Sequence, residues 1–432
     1  MGGKSWCSRV LAEAVATLVV WTAVFVTAVD GVGAQQAIEL PAEDRALTAG
    51  FEEIFRVGSL DGEEWETFGE IGGTAFDAAG NLYVLDRQAS HVTVVDRDGG
   101  FVRTIGQPGE GPGEFRMPLG FTALRDGRLV VSDLGHRAYQ LFGADGAFDR
   151  MVGMGADGEI RVGDLAPDPA GGTVISGGGG AVIATSGGPG DEPPATRPID
   201  RISLDGDRAE VTTVVEAWMP PRDDEPTQLQ GGGVTLQMSV AGPRVFEPAL
   251  LVGVLTDGSL AFVDSSAYNV KVVSPAGALQ RVLRRPFEPR PVTPRMEEAE
   301  RERRLQELEE GGGPRMRMMV DGPGGGAQAV PQAAIQEMIR GQIAQLSFYP
   351  ELPVLMDLRT TWDGRLWAQR RGDAPTDPGP IDVLTPGGDY LGTYADVVMP
   401  DAFGPDGLAA WGEEDDFGVP VIVVRRLPDE VR

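Results

Sequence analysis

The chain has 432 residues, 37 of them basic and 65 acidic, for a net charge of −28 and a single cysteine. That balance excludes a nucleic-acid surface, whose phosphates need a basic footprint, and opposes adsorption to an anionic membrane. Lys4 and Lys271 are the only lysines, so nearly all the positive charge is arginine.

Residues 1–34 read as a signal peptide. Lys4 and Arg9 give a positive start, Ala14 to Val29 an apolar run, and Val32-Gly33-Ala34 a small-residue cleavage site before Gln35. The run is near the lower limit for a membrane span, which leaves an uncleaved N-terminal anchor as the alternative. Cys7 precedes the apolar run, whereas a lipid-acceptor cysteine would follow it. Cleavage would yield an exported chain, periplasmic or extracellular, with no cysteine, no thiol chemistry and no membrane span. Residues 35–50 are polar and read as a loose leader. Phe51 to Val57 is a strand-like segment with no partner nearby in sequence.

From Glu70 to Gly153 the sequence repeats itself. Gly80, Leu82, Asp86, Gly99, Phe101 and Gly106 return as Gly127, Leu129, Asp133, Gly146, Phe148 and Gly153, each 47 residues after its counterpart. Short apolar runs broken by glycine turns leave no room for helices, and a repeat of this length is the signature of a propeller blade. A single four-stranded sheet would expose two faces and two edges, so such blades must stack radially into a ring.

Gly258, Leu260, Asp264, Gly277 and Leu279 keep the same offsets and mark a fourth blade. The third is degenerate, with strands at Gly172 to Ser176 and Ile199 to Leu204 around a Gly/Pro/Ser loop. The fifth keeps Asp363 to Trp367 but has Arg370 where the others have aspartate, and Asp406-Gly407-Leu408 opens the sixth. The count is six, or seven if Arg208 to Val245 holds another blade. The last blade is one strand short, and Phe51 to Val57 is expected to complete it and close the ring.

Residues 293–353 interrupt the pattern between blades four and five. Arg295 to Glu310 is charged at helical spacing, with Glu297 to Arg301 and Glu300 to Arg304 as i,i+4 pairs. A Gly-rich run with Met316, Met318 and Met319 follows, and then an apolar stripe of Ile335, Met338, Ile339, Ile343 and Leu346 marks a second helix. The segment reads either as a lid over one mouth or as a decoration of the rim.

The run Gly106 to Phe115, then Met117-Pro118, Asp126-Gly127-Arg128-Leu129-Val130-Val131-Ser132-Asp133, Gln140-Leu141-Phe142 and Asp145-Gly146 resembles an NHL-type repeat of the six-bladed propeller group that includes TolB-like proteins. The resemblance implies an all-β, six-bladed ring whose relatives are mostly binding modules, some being lactonases or lyases with His, Glu, Asn or Asp around a pore metal. Here only His91 and His136 are present, at different offsets in their blades, which departs from that pattern.

Chemistry is otherwise sparse. There is no HExxH, CxxC, G-x-S-x-G or phosphate-binding loop, and Gly106 to Gly113 reads as an interblade turn. Asp96-Arg97-Asp98-Gly99 starts like a calcium loop but has Gln107 at the twelfth position, where glutamate is needed. Asp86, Asp133 and Asp264 read as turn caps rather than a carboxylate ring, and His136 with Arg137 as a surface pair. Calcium is the one cofactor these residues leave open. Ligand contacts are expected on loops leading into the innermost strands, which carry Glu70, Arg116, Arg161, Glu247 and Asp357. No residue takes a catalytic role. The preferred reading is an envelope module binding a small polar ligand or another protein; the alternatives are a metal-dependent hydrolase or lyase and a structural assembly protein.

Overall fold

The structure is a computed structural model that describes residues 36–155, 159–161, 163–177, 182–184, 196–221, 228–231, 234–237, 244–310, 319–321, 327–329 and 332–432. The expected signal peptide, most of the third-blade loop, and Met316 and Met318 lie outside the described residues.

The turns set the architecture. At Gly80, Gly99, Gly127, Gly146, Gly171, Gly258, Gly277, Gly364 and Gly388 the glycine N–H donates to the carbonyl three residues back, with φ between 80° and 99°. A side chain at that φ would crowd the backbone, so glycine fixes each reversal. All of these turns lie on one side of the ring, here called the lower face.

Six sheets result, each running from an inner to an outer strand. Blade one is Ile71–Phe76, Leu82–Asp86, His91–Val95 and Phe101–Ile105. Blade two is Pro118–Ala123, Leu129–Asp133, Ala138–Phe142 and Phe148–Gly153. Blade three is Asp164–Pro167, Thr173–Gly177, Thr196–Ser203 and Glu210–Trp218. Glu210–Trp218 is its outer strand, which leaves no seventh blade among the described residues. Blade four is Leu251–Val254, Leu260–Val263, Asn269–Val273 and Leu279–Arg284, and blade five is Leu355–Thr360, Leu366–Arg371, Pro378–Leu384 and Tyr390–Tyr394. Blade six is Ala402–Phe403, Leu408–Glu414 and Pro420–Arg426, completed by Glu52–Val57 from the start of the chain. Phe55 lies opposite Val424 and Val57 opposite Ile422, so the ring closes through backbone pairing as its sequence requires.

Between each pair of neighbouring blades lies one apolar cluster. Val84, Leu408 and Val424 fill the joint of blades six and one; Leu85, Val94 and Phe121 that of one and two; Val130 and Val174 that of two and three. Ile175 and Phe262, Val270 and Leu358, and Trp367 and Trp411 fill the other three. Alternate strand residues thus face the blade before and the blade after, which is why these strands are apolar throughout.

The repeated aspartates clamp the top of blades one, two and four. Asp86 accepts from the N–H groups of Gly69 (2.7 Å) and Ala89 (2.9 Å). Asp133 accepts from Arg116 and Met117 (both 2.9 Å) and Gly135 (3.0 Å), and Asp264 from Trp218 (3.0 Å). Asp86 and Asp133 tie the incoming connection to their blade's own turn, whereas Asp264 ties it to Lys271 on the third strand, with Nζ at 2.7 Å. His136 is not the surface residue expected: its side chain is only 11% exposed, with Nδ1 2.8 Å from Asp133. Asp96 likewise closes its own turn, accepting from Asp98 (3.0 Å) and Gly100 (2.8 Å).

The leader is seated rather than loose. Gln36–Glu39 adds a fifth strand to blade four, Leu40 N–H donates to Arg284 O (2.7 Å), and Leu47 N–H donates to Thr393 O (2.9 Å) on blade five. Its polar composition concealed this because the anchoring residues are few: Ile38 and Leu40 enter the joint of blades four and five, and Leu47 and Phe51 that of five and six.

Two α-helices lie in the insertion among the described residues, α1 (Pro294–Glu309) and α2 (Gln332–Ala344), and no described helix is long and apolar enough to cross a membrane. Thr293 caps α1, and both expected ion pairs form, Arg301–Glu297 at 3.5 Å and Arg304–Glu300 at 2.6 Å. Ile335, Met338 and Ile343 bury the stripe of α2. The insertion is fastened to the connection between blades three and four: Val245 N–H donates to Ser347 O and Tyr349 N–H to Val245 O, both 2.9 Å. Arg244 also stacks on Tyr349 at 4.9 Å. Both connections leave outer strands for the next inner strand, so this cap stands on the upper face.

Candidate functional site

Inner strands descend from the upper face around the ring axis, and three of them carry a bulge near their start, at Ile71/Gly73, Pro118/Gly120 and Leu355/Asp357. Bulges break the alternation of side chains and re-aim the residues beside them. In blade one the bulge leaves Gly72 bare, and the Arg87 side chain lies where its Cβ would be, with Cγ 2.6 Å from that position. Arg87 Nη2 donates to Leu119 O (2.9 Å), the bulge carbonyl of blade two, while its Nη1 is 3.8 Å from Glu70. In blade five Asp357 accepts from Leu358 N–H (2.7 Å) and pairs with Arg359 Nε (2.9 Å), and Arg359 Nη1 donates to Asp401 O at the start of blade six.

Asp164, at the top of the inner strand of blade three, faces these groups. Partial desolvation by its surroundings pushes its carboxyl above the ordinary aspartate value although the residue keeps contact with solvent; the Arg359 guanidinium pulls it back, the Asp357 carboxylate adds to the push, and Arg87 pulls back again. Blades one, three and five are not neighbours, so their side chains sense one another only across the central channel. Asp164 is exposed to solvent and forms no hydrogen bond or ion pair with a described residue.

The lower end of the channel is bridged. Trp362 and Arg125, from the lower turns of blades five and two on opposite sides of the ring, meet with the guanidinium 4.7 Å from the indole centroid. The charged groups lie at the opposite, upper end of the channel, here called the upper cup.

The expected mouth residues divide. Glu70 and Asp357 reach this cluster through Arg87 and Arg359. Arg116 lies over Gly135 and 3.8 Å from Glu110, on the loop between blades one and two. Glu247 is 4% exposed and paired with Arg244 (3.1 Å), which commits it to the cap. The side chain of Arg161 is outside the described residues. Arg87, Asp164 and Arg359 were missed, because a bulge shifts which residue faces the axis and strand alternation alone does not reveal it. Among the described residues no three His, Cys, Asp or Glu side chains converge as a metal-ligand set.

Asp164→Asn provides an internal check of this environment. With its carboxyl held high, the folded chain binds a proton more tightly than the unfolded one, so stability falls as pH rises from the ordinary aspartate value of about 3.9 through the raised one. The variant is expected to melt above wild type at pH 7.5, the difference closing as the pH drops toward that ordinary value. A lower melting temperature at pH 7.5 would contradict the placement.

The family model of a six-bladed β-propeller, DUF5128, matches residues 51–147. The protein is a six-bladed β-propeller. No curated protein matches the sequence. Among solved structures, a member of the DUF4221 family from Bacteroides vulgatus is similar at 10% identity, with 88% of this chain and 98% of that one covered and a TM-score of 0.49. A gluconolactonase of Xanthomonas campestris is similar at 15% identity, with 84% and 86% covered and a TM-score of 0.40.

Proposed function

We propose that the protein is an exported binding module, of the NHL-type propeller group, that holds a small, neutral, hydroxyl-rich molecule in the upper cup. The observation that carries this reading is Asp164: a carboxylate with no hydrogen-bond or ion-pair partner among the described residues, yet within electrostatic reach of the Arg359 and Arg87 guanidiniums, which belong to two other blades. The charges nearly balance. An anionic ligand would meet Asp164 and Asp357, and a cationic one Arg87 and Arg359, whereas a hydroxyl donates to the carboxylate and accepts from the guanidinium at once. The signal-peptide reading of residues 1–34 supports an exported place for this module, periplasmic or extracellular.

The test is a thermal-shift panel of neutral monosaccharides, the corresponding aldonic acids, sugar lactones and calcium chloride, with proton release followed for each lactone. A neutral sugar or lactone that raises the melting temperature of wild type but not of Asp164→Ala supports the reading. Lactone opening lost in the same variant would convert the module into a hydrolase. A shift from calcium alone, or none from any polyol, would overturn it.

A further inference from the structure

One turn departs from the rest. Asp415-Asp416-Phe417-Gly418 has the geometry of the lower-face turns: Gly418 N–H donates to Asp415 O (2.9 Å), and Gly418 has φ of 76°. Yet it joins the second and third strands of blade six and so stands on the upper face. Elsewhere the third position of this turn is alanine, aspartate or glycine; here it is phenylalanine, 88% exposed. The hairpin beneath it pairs without interruption from Leu408 opposite Arg426 to Glu414 opposite Pro420, and its second strand has 7 residues where that of blade one has 5. Asp415 Oδ1 accepts from both Phe417 (2.8 Å) and Val419 (2.9 Å) N–H groups, and Arg425 braces the stem by stacking on Trp411 and pairing with Glu413 (2.7 Å). A large aromatic ring is thus held out into water on a stiff support.

The turn is flanked by exposed carboxylates, and a second exposed apolar residue lies on the connection bonded to its stem. Val398, 70% exposed, lies on the neighbouring connection, which is bonded to the same stem through Trp411 Nε1 to Val398 O (2.8 Å). Glu414, Asp416 and Asp396 are exposed and form no ion pair with a described residue. We propose that Phe417 is the anchor of a protein-docking site whose partner presents an apolar pocket rimmed by arginine or lysine. Exposing the ring costs the free protein solvation that only burial recovers. Its fixed turn lowers the entropy lost on docking, and the carboxylates select a basic rim while disfavouring an anionic lipid surface. This site is separate from the cup and does not rest on the ligand reading.

The probe is a phage-displayed library of random dodecapeptides, panned on the chain from Gln35 onward and subtracted against Phe417→Ser, with selected peptides resynthesised for fluorescence anisotropy. The expected result is enrichment of peptides combining arginine or lysine with a large apolar residue. Their affinity should fall about tenfold or more with Phe417→Ser, and likewise with Asp416→Lys, which keeps the anchor and reverses the charge. Both positions are exposed, and unchanged melting curves will confirm folding. No enrichment over the subtraction, or peptides indifferent to Asp416→Lys, would overturn the proposal. So would sedimentation showing a dimer of the chain that Phe417→Ser dissolves, since the occupant would then be a second copy.

Discussion

Replacing Arg285 by leucine is expected to lower the unfolding free energy by about 3–5 kcal/mol, the cost of leaving a buried charge without its partner. The Arg285 side chain is fully buried and pairs through Nη1 with Asp382, also fully buried, at 2.9 Å. Its Nε donates to Pro41 O (2.8 Å), and Nη2 to Glu43 O (3.2 Å) and Asp44 (3.0 Å), so one guanidinium fixes the leader to the joint of blades four and five. The ring of Phe287 on one side and of Tyr390 on another lie 4.7 and 4.6 Å from its carbon. Burial alone would lower its basicity, but Asp382 and Asp44 outweigh that and keep it charged. Without it, Asp382 retains Arg370 at 3.5 Å and the Thr393 hydroxyl at 2.6 Å, too little to solvate a carboxylate sealed from water. Urea denaturation of Arg285→Leu should therefore show a lower midpoint, and Arg285→Leu combined with Asp382→Leu should recover much of the loss. A single variant within about 1 kcal/mol of wild type would show that the leader is held by its apolar residues alone.

Removing residues 36–57 is expected to abolish cooperative unfolding. The deletion takes the outer strand of blade six, the fifth strand of blade four and both Asp44 ion pairs, leaving two sheet edges bare and the ring open. The apolar joint of blades six and one, which holds Phe55 and Val57, would face water. Calorimetry should show a broad, low-enthalpy transition in place of a sharp one, and a synthetic peptide of residues 36–57 added in excess should restore it. A sharp transition within about 5 °C of the full chain would mean that closure is dispensable.

Much of the ring was legible in the sequence because it rests on local rules. Gly80 and Gly127 must occupy positive φ, and Asp86 and Asp133 must accept the same backbone donors, so repeat spacing reports both directly. The repeat extends even to Ser90 and Arg137, which share the left-handed region at 53° in the corresponding turns. The closing strand was legible from a deficit, three strands where four are needed. What escaped was set by long-range packing. Residues 36–50 look like a solvated leader because Asp44 and Arg45 are polar, but their partners Arg285, Arg370 and Leu391 lie more than two hundred residues away. The mouth was read from loops, whereas the side chains that meet there follow from the bulges at Gly72 and beside Asp357, and no periodicity announces those.

In the proposed function a small hydroxylated ligand sits between Asp164, Arg87 and Arg359. Its most direct test is isothermal titration calorimetry of the compound giving the largest thermal shift, with wild type, Asp164→Asn and, as a control on the cap, Glu247→Gln. Affinity should weaken by about tenfold or more for Asp164→Asn, the loss of a hydrogen bond to a charged group, and change little for Glu247→Gln. Equal affinity in Asp164→Asn and wild type would place the ligand elsewhere and contradict it.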